Sequence, residues 1–590
     1  MKNRIIRGIP VSPSIAIGKA FLYSAEDISF FSSRRKGNVQ EEFSLFEKTR
    51  RKSLGQLRAL KSDLKRLGNK ESTKLIDVQI LFLQDPLFLN SVEKRIKNKK
   101  ESAEKAIINF LKSLKINFKD IEDSYIKERY LDVKDVVDRL LKNIHNKEID
   151  MELPGSDNIV VAKTLTSSEI IQMSRNKVRG IITERGGRTS HIAILTEALN
   201  IPTIVGTNGV QEEIEVEDEV IVDGISGIIV IKPDEDTKRR FEQKEREAAA
   251  IQQEFLKKKD LPATTIDGYS IDISANIELP IELSSIKKYG AKGVGLLRTE
   301  FLYLTSEEIP DEEKQFRFYS EIADVCSPDY VIMRTLDLGG DKVFKTKEKE
   351  ANPFLGWRGV RFTLGAREIF RIQLRAMLRA SAKGNVRLLI PMVSQVEEII
   401  EVRKIVEDVK EELRKEGYPF DENIEIGAMV EIPSVSLLAD HFSKEVDFLS
   451  IGTNDLTQYT LAVDRGNKRV SALFDHLDPS VISLMKMTVK GAHHNNKWVG
   501  VCGEMACDLV AMPVLIGLEV DELSLPPTFI PQVKNVIRGL SLKESKKLLE
   551  KVEKKESANN VRGFLKKELL KRFPSLKNIL VEVENDRNYR

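Results

Sequence analysis

Hydrophobic and polar positions change rhythm several times along the chain. From Ser270 onward, eight short apolar runs recur, most of them separated by stretches long enough for helices: Ile271-Asp272-Ile273, Val294 to Leu297, Tyr330 to Met333, Val386 to Ile390, Ile426 to Val430, Phe448 to Ile451, Trp498 to Val501 and Glu522 to Leu525. Strand alternating with helix eight times over this length predicts a (β/α)8 barrel. The first 25 or so residues are β-like, and a β-rich pattern resumes from Ile159 to Ile231. Between them, roughly residues 35–145 are rich in Lys, Glu and Leu and carry helical stripes. Ile107, Phe110, Leu111 and Leu114 make one apolar face, and Val133, Val136, Val137, Leu140, Leu141 and Ile144 make another. Residues from about 234 to 260 are highly charged and read as a stiff helical connection.

These shifts divide the chain. An α/β domain is expected over 1–34 and 146–233, with a helical insert at 35–145. A linker helix follows at 234–261, the barrel at 262–575 and a tail, expected to fray, at 576–590. The fold class is therefore multidomain α/β. A length of 590 residues suits two to four domains that each bury a core.

Composition narrows the class without naming a chemistry. Charged residues make up 31% and hydrophobic ones 41%, an ordinary soluble balance. A net charge of +3 is too near neutral to argue for nucleic acid or an anionic membrane as partner. No apolar run reaches membrane-spanning length, and Arg7, Pro10 and Pro13 interrupt any signal-peptide core, so a cytoplasmic location is expected. Cys326, Cys502 and Cys507 match no zinc spacing and suit a reducing compartment.

Candidate chemistry begins at His191, in Gly186-Gly187-Arg188-Thr189-Ser190-His191-Ile192-Ala193-Ile194. Val178 to Thr183 reads as a strand and a helix is expected from near Thr189, with Ile194, Leu195 and Ala198 as its apolar stripe. A helix start favours a neutral imidazole and would stabilise a phosphoryl group carried on it. Taken alone, the run fits a structural histidine equally well.

The ends of the barrel runs shift that balance. Run two ends at Arg298, run three at Arg334, run five at Glu431, run six at Asn454-Asp455 and run seven at Cys502. In a (β/α)8 barrel these ends converge on one mouth. Glu431 and Asp455 suit a hard cation such as Mg²⁺, and Arg298, Arg334 and Arg465 offer forked donors to phosphate and carboxylate. The expected ligand is small, strongly anionic and metal-bridged. Among such cations Cys502 could give or take a proton, although a lone cysteine is more often a buried hydrophobe.

The chain closely resembles the phosphoenolpyruvate-protein phosphotransferases, the Enzyme I family of the phosphoenolpyruvate-dependent sugar phosphotransferase system. The likeness runs from Gly8-Ile9-Pro10-Val11-Ser12-Pro13 to at least Leu525. Its specific segments are the His191 run, Leu297-Arg298-Thr299-Glu300-Phe301-Leu302, Arg334 to Lys342, Asn352 to Arg358, Met429-Val430-Glu431-Ile432-Pro433, Gly452 to Tyr459, Val463 to Asn467 and Val501-Cys502-Gly503-Glu504.

The resemblance implies a swivelling phosphohistidine domain, a helical carrier-docking subdomain and a phosphoenolpyruvate-binding barrel that also forms a homodimer. It further implies that Arg298, Arg334, Asn454, Asp455 and Arg465 bind phosphoenolpyruvate, with Mg²⁺ on Glu431 and Asp455. His191 would take the phosphoryl group, Cys502 would protonate the enolate to pyruvate, and a small histidine phosphocarrier protein would receive the phosphoryl group next. Arg358 is a further candidate for neutralising the phosphate.

Three positions depart from the family pattern. Gln79 stands where a histidine is usual, Thr196-Glu197 where Ala-Arg is usual, and Cys507 where a glycine is usual. The first bears on carrier specificity. Glu197 puts an anion near the phosphohistidine, although six residues on it falls off the same helix face. Two rivals are weighed against the main reading. Dikinases and synthases that share the barrel need an ATP-binding region, and no Gly-rich nucleotide loop lies in the first 145 residues. A phosphoenolpyruvate-sensing regulatory protein with little transfer activity would not need His191, Cys502 and the metal pair together.

Overall fold

The computed structural model describes residues 3–577, apart from 13, 24–36, 67–78, 81, 119–132, 134–135, 146–154, 187–191, 193–194, 197–198, 200, 208, 279–281, 305–308, 340–349, 351, 466 and 468. It divides into two compact units, one ending at Ala250 and the other running from Ile251 to Lys577.

The first unit is built on an eight-stranded mixed sheet. Its strands are β1 (Arg4–Arg7), β2 (Ile9–Pro10), β3 (Ile15–Tyr23), β4 (Asn158–Ala162), β5 (Gly180–Thr183), β6 (Thr203–Val205), β7 (Glu219–Asp223) and β8 (Ile228–Ile231). Their order is β1-β8-β7-β3-β4-β5-β6-β2. β3, β4, β5 and β6 run parallel to their neighbours in that series, while β3 pairs antiparallel with β7. Both faces of the central strands are buried, so they read as continuous apolar runs such as Asn158-Ile159-Val160-Val161-Ala162.

The strand expected from Val178 begins two residues later, at Gly180. Lys177 has a positive φ of 57° and the Val178 N–H closes back on Met173 O, so these two residues finish the helix Ser167–Arg175 instead.

The helical insert packs on this sheet. Helices Val39–Arg66, Pro86–Asn98 and Ala103–Phe118 and a helix at residues 136–144 share one core with strand residues Val160 and Ile181. Ile107, Leu111, Val136, Val137, Leu140, Leu141 and Ile144 are buried as the helical stripes predict, with Phe110 and Val133 half-buried against them. The side chain of Leu114 lies outside the described residues. Gln79 is buried within the insert.

Helix Glu235–Lys257 carries the charged stretch. Lys244 Nζ donates to buried Asp223 Oδ2 at 2.6 Å, which ties the first half of this helix to the end of β7.

The second unit is a closed parallel barrel. Its strands are β9 (Asp272–Ile277), β10 (Val294–Leu297), β11 (Val331–Arg334), β12 (Val386–Ile390), β13 (Ile426–Val430), β14 (Phe448–Gly452), β15 (Trp498–Cys502) and β16 (Glu522–Leu525). β16 pairs with β9 to close the ring. The eight apolar runs therefore each correspond to one strand, with β9 extended to Ile277 beyond its expected end.

Candidate active site at the barrel mouth

Parallel strands all deliver their C-terminal ends to one side of the ring. Arg334 is the last residue of β11 and Cys502 the last of β15. Arg298 follows β10, Glu431 follows β13, and Asn454 and Asp455 open the helix Thr453–Leu461 that follows β14. The mouth thus collects the groups that the run ends predicted.

Three carboxylates meet there. Asp337, Glu431 and Asp455 each present an oxygen within 4.8 Å of the others. Asp337 was not singled out as a ligand from sequence. It lies one helical turn's spacing beyond Arg334, outside the strand run, and only the loop after β11 brings it back over the mouth.

Arginines interlock the acids. Arg334 lies 3.0 Å from Glu300, 3.2 Å from Asp337 and 3.8 Å from Glu431. Arg358 grips Asp337 through Nε at 3.1 Å and Nη2 at 2.8 Å, and reaches Asp455 at 3.5 Å. The Met392 N–H donates to Glu431 Oε2 at 2.9 Å, and Met392 holds a positive φ of 59° to do so. Burial, reinforced by Asp455 and Asp337, pushes Glu431 well above the usual carboxylate range. Three clustered hard oxygens, one of them reluctant to ionise beside the others, are a donor set that a divalent cation satisfies.

The remaining candidates ring this centre less tightly. Arg298 pairs with Glu278. Arg465 is 43% exposed and lies 3.8 Å from Glu504, while its backbone N–H donates to Gln458. Asn454 Oδ1 accepts the Glu504 N–H at 2.9 Å, which leaves its amide N–H groups for a ligand. Gly503 holds a φ of 110°, where a side chain would also press on Thr453 Oγ1 and Asn454 Oδ1. That turn is what brings Glu504 under Asn454.

Cys502 is only 1% exposed and points inward with Leu296, Ile332, Leu389, Met429 and Phe448. Ser450 Oγ donates to its sulfur at 3.6 Å, and the thiol donates to Ile451 O at 3.6 Å. Burial pushes the thiol up to about 12, so the resting form carries its proton. Cys326 is buried away from these residues and Cys507 is partly exposed.

His191, Thr189, Ile194, Ala198 and Glu197 lie outside the described residues. Of their neighbours, Ile192, Leu195 and Thr196 are buried, and Thr196 Oγ1 donates to Ile192 O at 2.7 Å.

A closed parallel barrel with arginine-locked carboxylates at its C-terminal mouth is an enzyme site for a multiply charged anion. Family patterns agree over most of the chain: residues 7–129 match the N-terminal domain of PEP-utilising enzymes, 154–227 their mobile domain and 252–542 their PEP-binding domain. A phosphoenolpyruvate-protein phosphotransferase of Staphylococcus aureus is 38% identical over 553 residues, 92% of this chain and 96% of that protein. The like-named protein of Priestia megaterium is 38% identical over 564 residues, 95% and 98% of the two chains. The solution structure of an Enzyme I protein, 32% identical, covers 41% of this chain and 98% of its own, with a TM-score of 0.34. The chain belongs to the PEP-utilising enzymes, in their phosphoenolpyruvate-protein phosphotransferase branch.

Proposed function

We propose that this protein moves the phosphoryl group of phosphoenolpyruvate to its own His191 and then to a histidine of a small phosphocarrier protein, releasing pyruvate in the cytoplasm. The observation that carries this reading is the barrel mouth itself, where arginines, carboxylates and a protonated thiol converge. Arg298, Arg334, Asn454 and Arg465 hold the phosphate and carboxylate of the substrate. Each arginine already faces a glutamate or aspartate, so the substrate replaces one anion by another. Glu431 and Asp455, with Asp337 within reach, would hold Mg²⁺, whose charge polarises the phosphate oxygens when bound.

His191 Nε2 attacks phosphorus as the bond from phosphorus to the enol oxygen breaks, leaving an enolate and a phosphohistidine. The clamping arginines stabilise the charge spread over the moving group. Cys502 then gives its proton to the methylene carbon of the enolate, which makes pyruvate release effectively one-way. One imidazole serving both a small substrate and a protein partner requires the domain that carries it to change contacts between half-reactions. A homodimer through the barrel is part of the same reading.

The test is labelled phosphoenolpyruvate with Mg²⁺ and His191→Ala. Label is expected on the wild type alone, while the variant still binds phosphoenolpyruvate. Label on His145, His441, His476, His493 or His494 of the variant overturns the assignment. His145, His476, His493 and His494 each sit against a carboxylate, at 3.2, 2.9, 2.9 and 2.6 Å respectively, which suits structural roles.

A further inference from the structure

One layer below the mouth, the barrel encloses an acid that the mechanism does not use. Glu522 opens β16, is 2% exposed and points inward. Its carboxyl fits because β10 and β15 carry glycine opposite it. A Cβ at Gly295 would lie 2.0 Å from Oε1, and one at Gly500 would lie 2.4 Å from Oε2. The surrounding groups are hydroxyls. Ser274 Oγ and Tyr330 OH both donate to Oε1, the latter at 3.5 Å, whereas Oε2 is buried without a hydrogen-bond partner.

Among the described residues no lysine or arginine pairs with Glu522. Arg387, the cation nearest in kind, is held by Glu425 at 2.7 Å and stacks over the Tyr330 and Trp498 rings at 4.5 and 5.1 Å. With Oε1 accepting two bonds, a proton on this carboxyl belongs on Oε2, facing Gly500.

The register connects that oxygen to Cys502. Ser450, Gly500 and Glu522 stand side by side on β14, β15 and β16. Glu522 reaches over Gly500, so about one strand spacing, roughly 4.8 Å, separates Oε2 from the position of Ser450. Ser450 Oγ already donates to the Cys502 sulfur.

Resting on the reading of Cys502 as the acid, we infer that Glu522 is its internal proton store. After the thiol has protonated the enolate, Glu522 passes a proton over Gly500 through one bridging water to the Ser450 hydroxyl, which releases its own to the thiolate. One O–H bond breaks on each of Glu522, the water and Ser450; new O–H bonds form on the water and on Ser450, and an S–H forms on Cys502. Glu522 is left as carboxylate and regains its proton from solvent before the next cycle. Glu522 is a positioning residue in this scheme, since it never meets the substrate.

The electrostatics run the same way. Burial comes first and Asp272 also raises Glu522, while Ser274, Arg387 and Tyr330 lower it, for a result of about 7, far below the thiol. Transfer from carboxyl to thiolate is therefore downhill.

The experiment compares two exchanges on the full-length phosphorylated protein with Mg²⁺ in deuterated water. One is carbon-label exchange between phosphoenolpyruvate and pyruvate, which needs the thiol only to take back the proton it gave. The other is deuterium entry into the pyruvate methyl, which needs the thiol proton to be replaced. In Glu522→Gln, carbon exchange should stay near wild type while deuterium entry falls about tenfold or more. In Ser450→Ala, which also loses the bond to the thiol, the ratio of deuterium entry to carbon exchange should fall by about as much.

An unchanged ratio of the two exchanges in both variants overturns the inference. A parallel fall of both exchanges, with phosphoenolpyruvate titration normal, makes Glu522 merely structural and overturns it too. Should Glu522→Gln fail to bind phosphoenolpyruvate, Ser450→Ala decides alone by the same ratio. Cys502→Ala separates the underlying reading: both exchanges should collapse, and if both persist, Cys502 is not the acid whatever Glu522 does.

Discussion

The barrel holds two sets of buried acid a single layer apart, and they are solvated in opposite ways. At the mouth, Asp337, Glu431 and Asp455 are crowded together and bound by Arg334 and Arg358. In the interior, Glu522 stands alone among Ser274, Tyr330 and two glycines, with no cation paired to it among the described residues. At the mouth, burial and the neighbours Asp455 and Asp337 hold Glu431 well above the usual carboxylate range while Arg334 and Arg358 draw it down, so a cation completes the site. Hydroxyl partners leave the interior acid to relieve its burial by keeping a proton. Glu431 and Glu522, buried to the same extent, are thus both raised, one beside guanidinium groups and further acids that a cation can join, the other among hydroxyls with no cation paired to it.

The largest expected effect comes from breaking the mouth. Glu431→Ala removes one cation ligand and unpairs part of the Arg334 contacts, so phosphoryl transfer to His191 should fall on the order of 10⁴-fold. Chelating divalent metal from the wild type should weaken phosphoenolpyruvate binding to about the level of that variant. Binding measured by calorimetry that ignores the chelator would mean Glu431 and Asp455 are not cation ligands.

Next in size is the thiol between the two layers. Cys502→Ala should leave phosphoenolpyruvate affinity within about twofold but slow pyruvate formation by about 10³-fold. Cys502→Ser should behave likewise, because a hydroxyl is a much weaker acid, and full activity in the serine variant removes the proton-donor role. Since burial pushes the thiol to about 12, its alkylation should accelerate about tenfold per pH unit from pH 7 to 11. A plateau near neutral pH would show an activated thiolate. Phosphoenolpyruvate with Mg²⁺ should protect it.

The interior acid should reveal itself in stability. The carboxyl sits at about 7 in the folded protein against an ordinary 4.5, so the unfolded chain gives up this proton first as pH rises. Native stability then falls between about pH 4.5 and 7 and stays reduced above that range, by about 3 kcal/mol from this group. Glu522→Gln cannot lose a proton and should stabilise the barrel at pH 8 while leaving it unchanged at pH 4. Unfolding curves for the two proteins that run parallel across this range would show that Glu522 is ionised in the folded barrel.

The smallest effect belongs to the rim. Arg465 is 43% exposed and only loosely opposed to Glu504, so Arg465→Ala should cost under about 0.5 kcal/mol of stability. Its loss should instead raise KM for phosphoenolpyruvate by about tenfold, one charge-assisted contact's worth. A large drop in melting temperature would show that the rim is as interlocked as the centre.

Much of this was readable before any fold was known. Eight apolar runs at barrel spacing, each ending in a reactive side chain, are sufficient to place Arg334, Glu431, Asp455 and Cys502 at one mouth, because parallel strands all point the same way. His191 was likewise legible as a residue, from its glycine turn, although its surroundings lie outside the described residues. Asp337 escaped notice because its carboxylate reaches the cluster through a loop, and loops carry no periodicity. Glu522 escaped for a different reason. Glu522-Leu523-Ser524-Leu525 alternates as a half-solvated strand does, and local pattern would send its polar side to water.

The amino-acid sequence by itself determined the succession of elements, the chemistry placed at each strand end and the membership of a family. Those follow from short-range rules and from motifs whose order is the chain's own. Only the tertiary structure decided which polar faces turn inward. Closing the ring buries both faces of every strand, and two glycines, on β10 and β15, open the space that Glu522 fills. Whether a carboxyl is charged or protonated depends on groups contributed by Ser274 and Tyr330, about 250 and 190 residues away along the chain. Such distances are invisible to any local reading of the chain, because solvation is a property of the assembled interior and not of a residue.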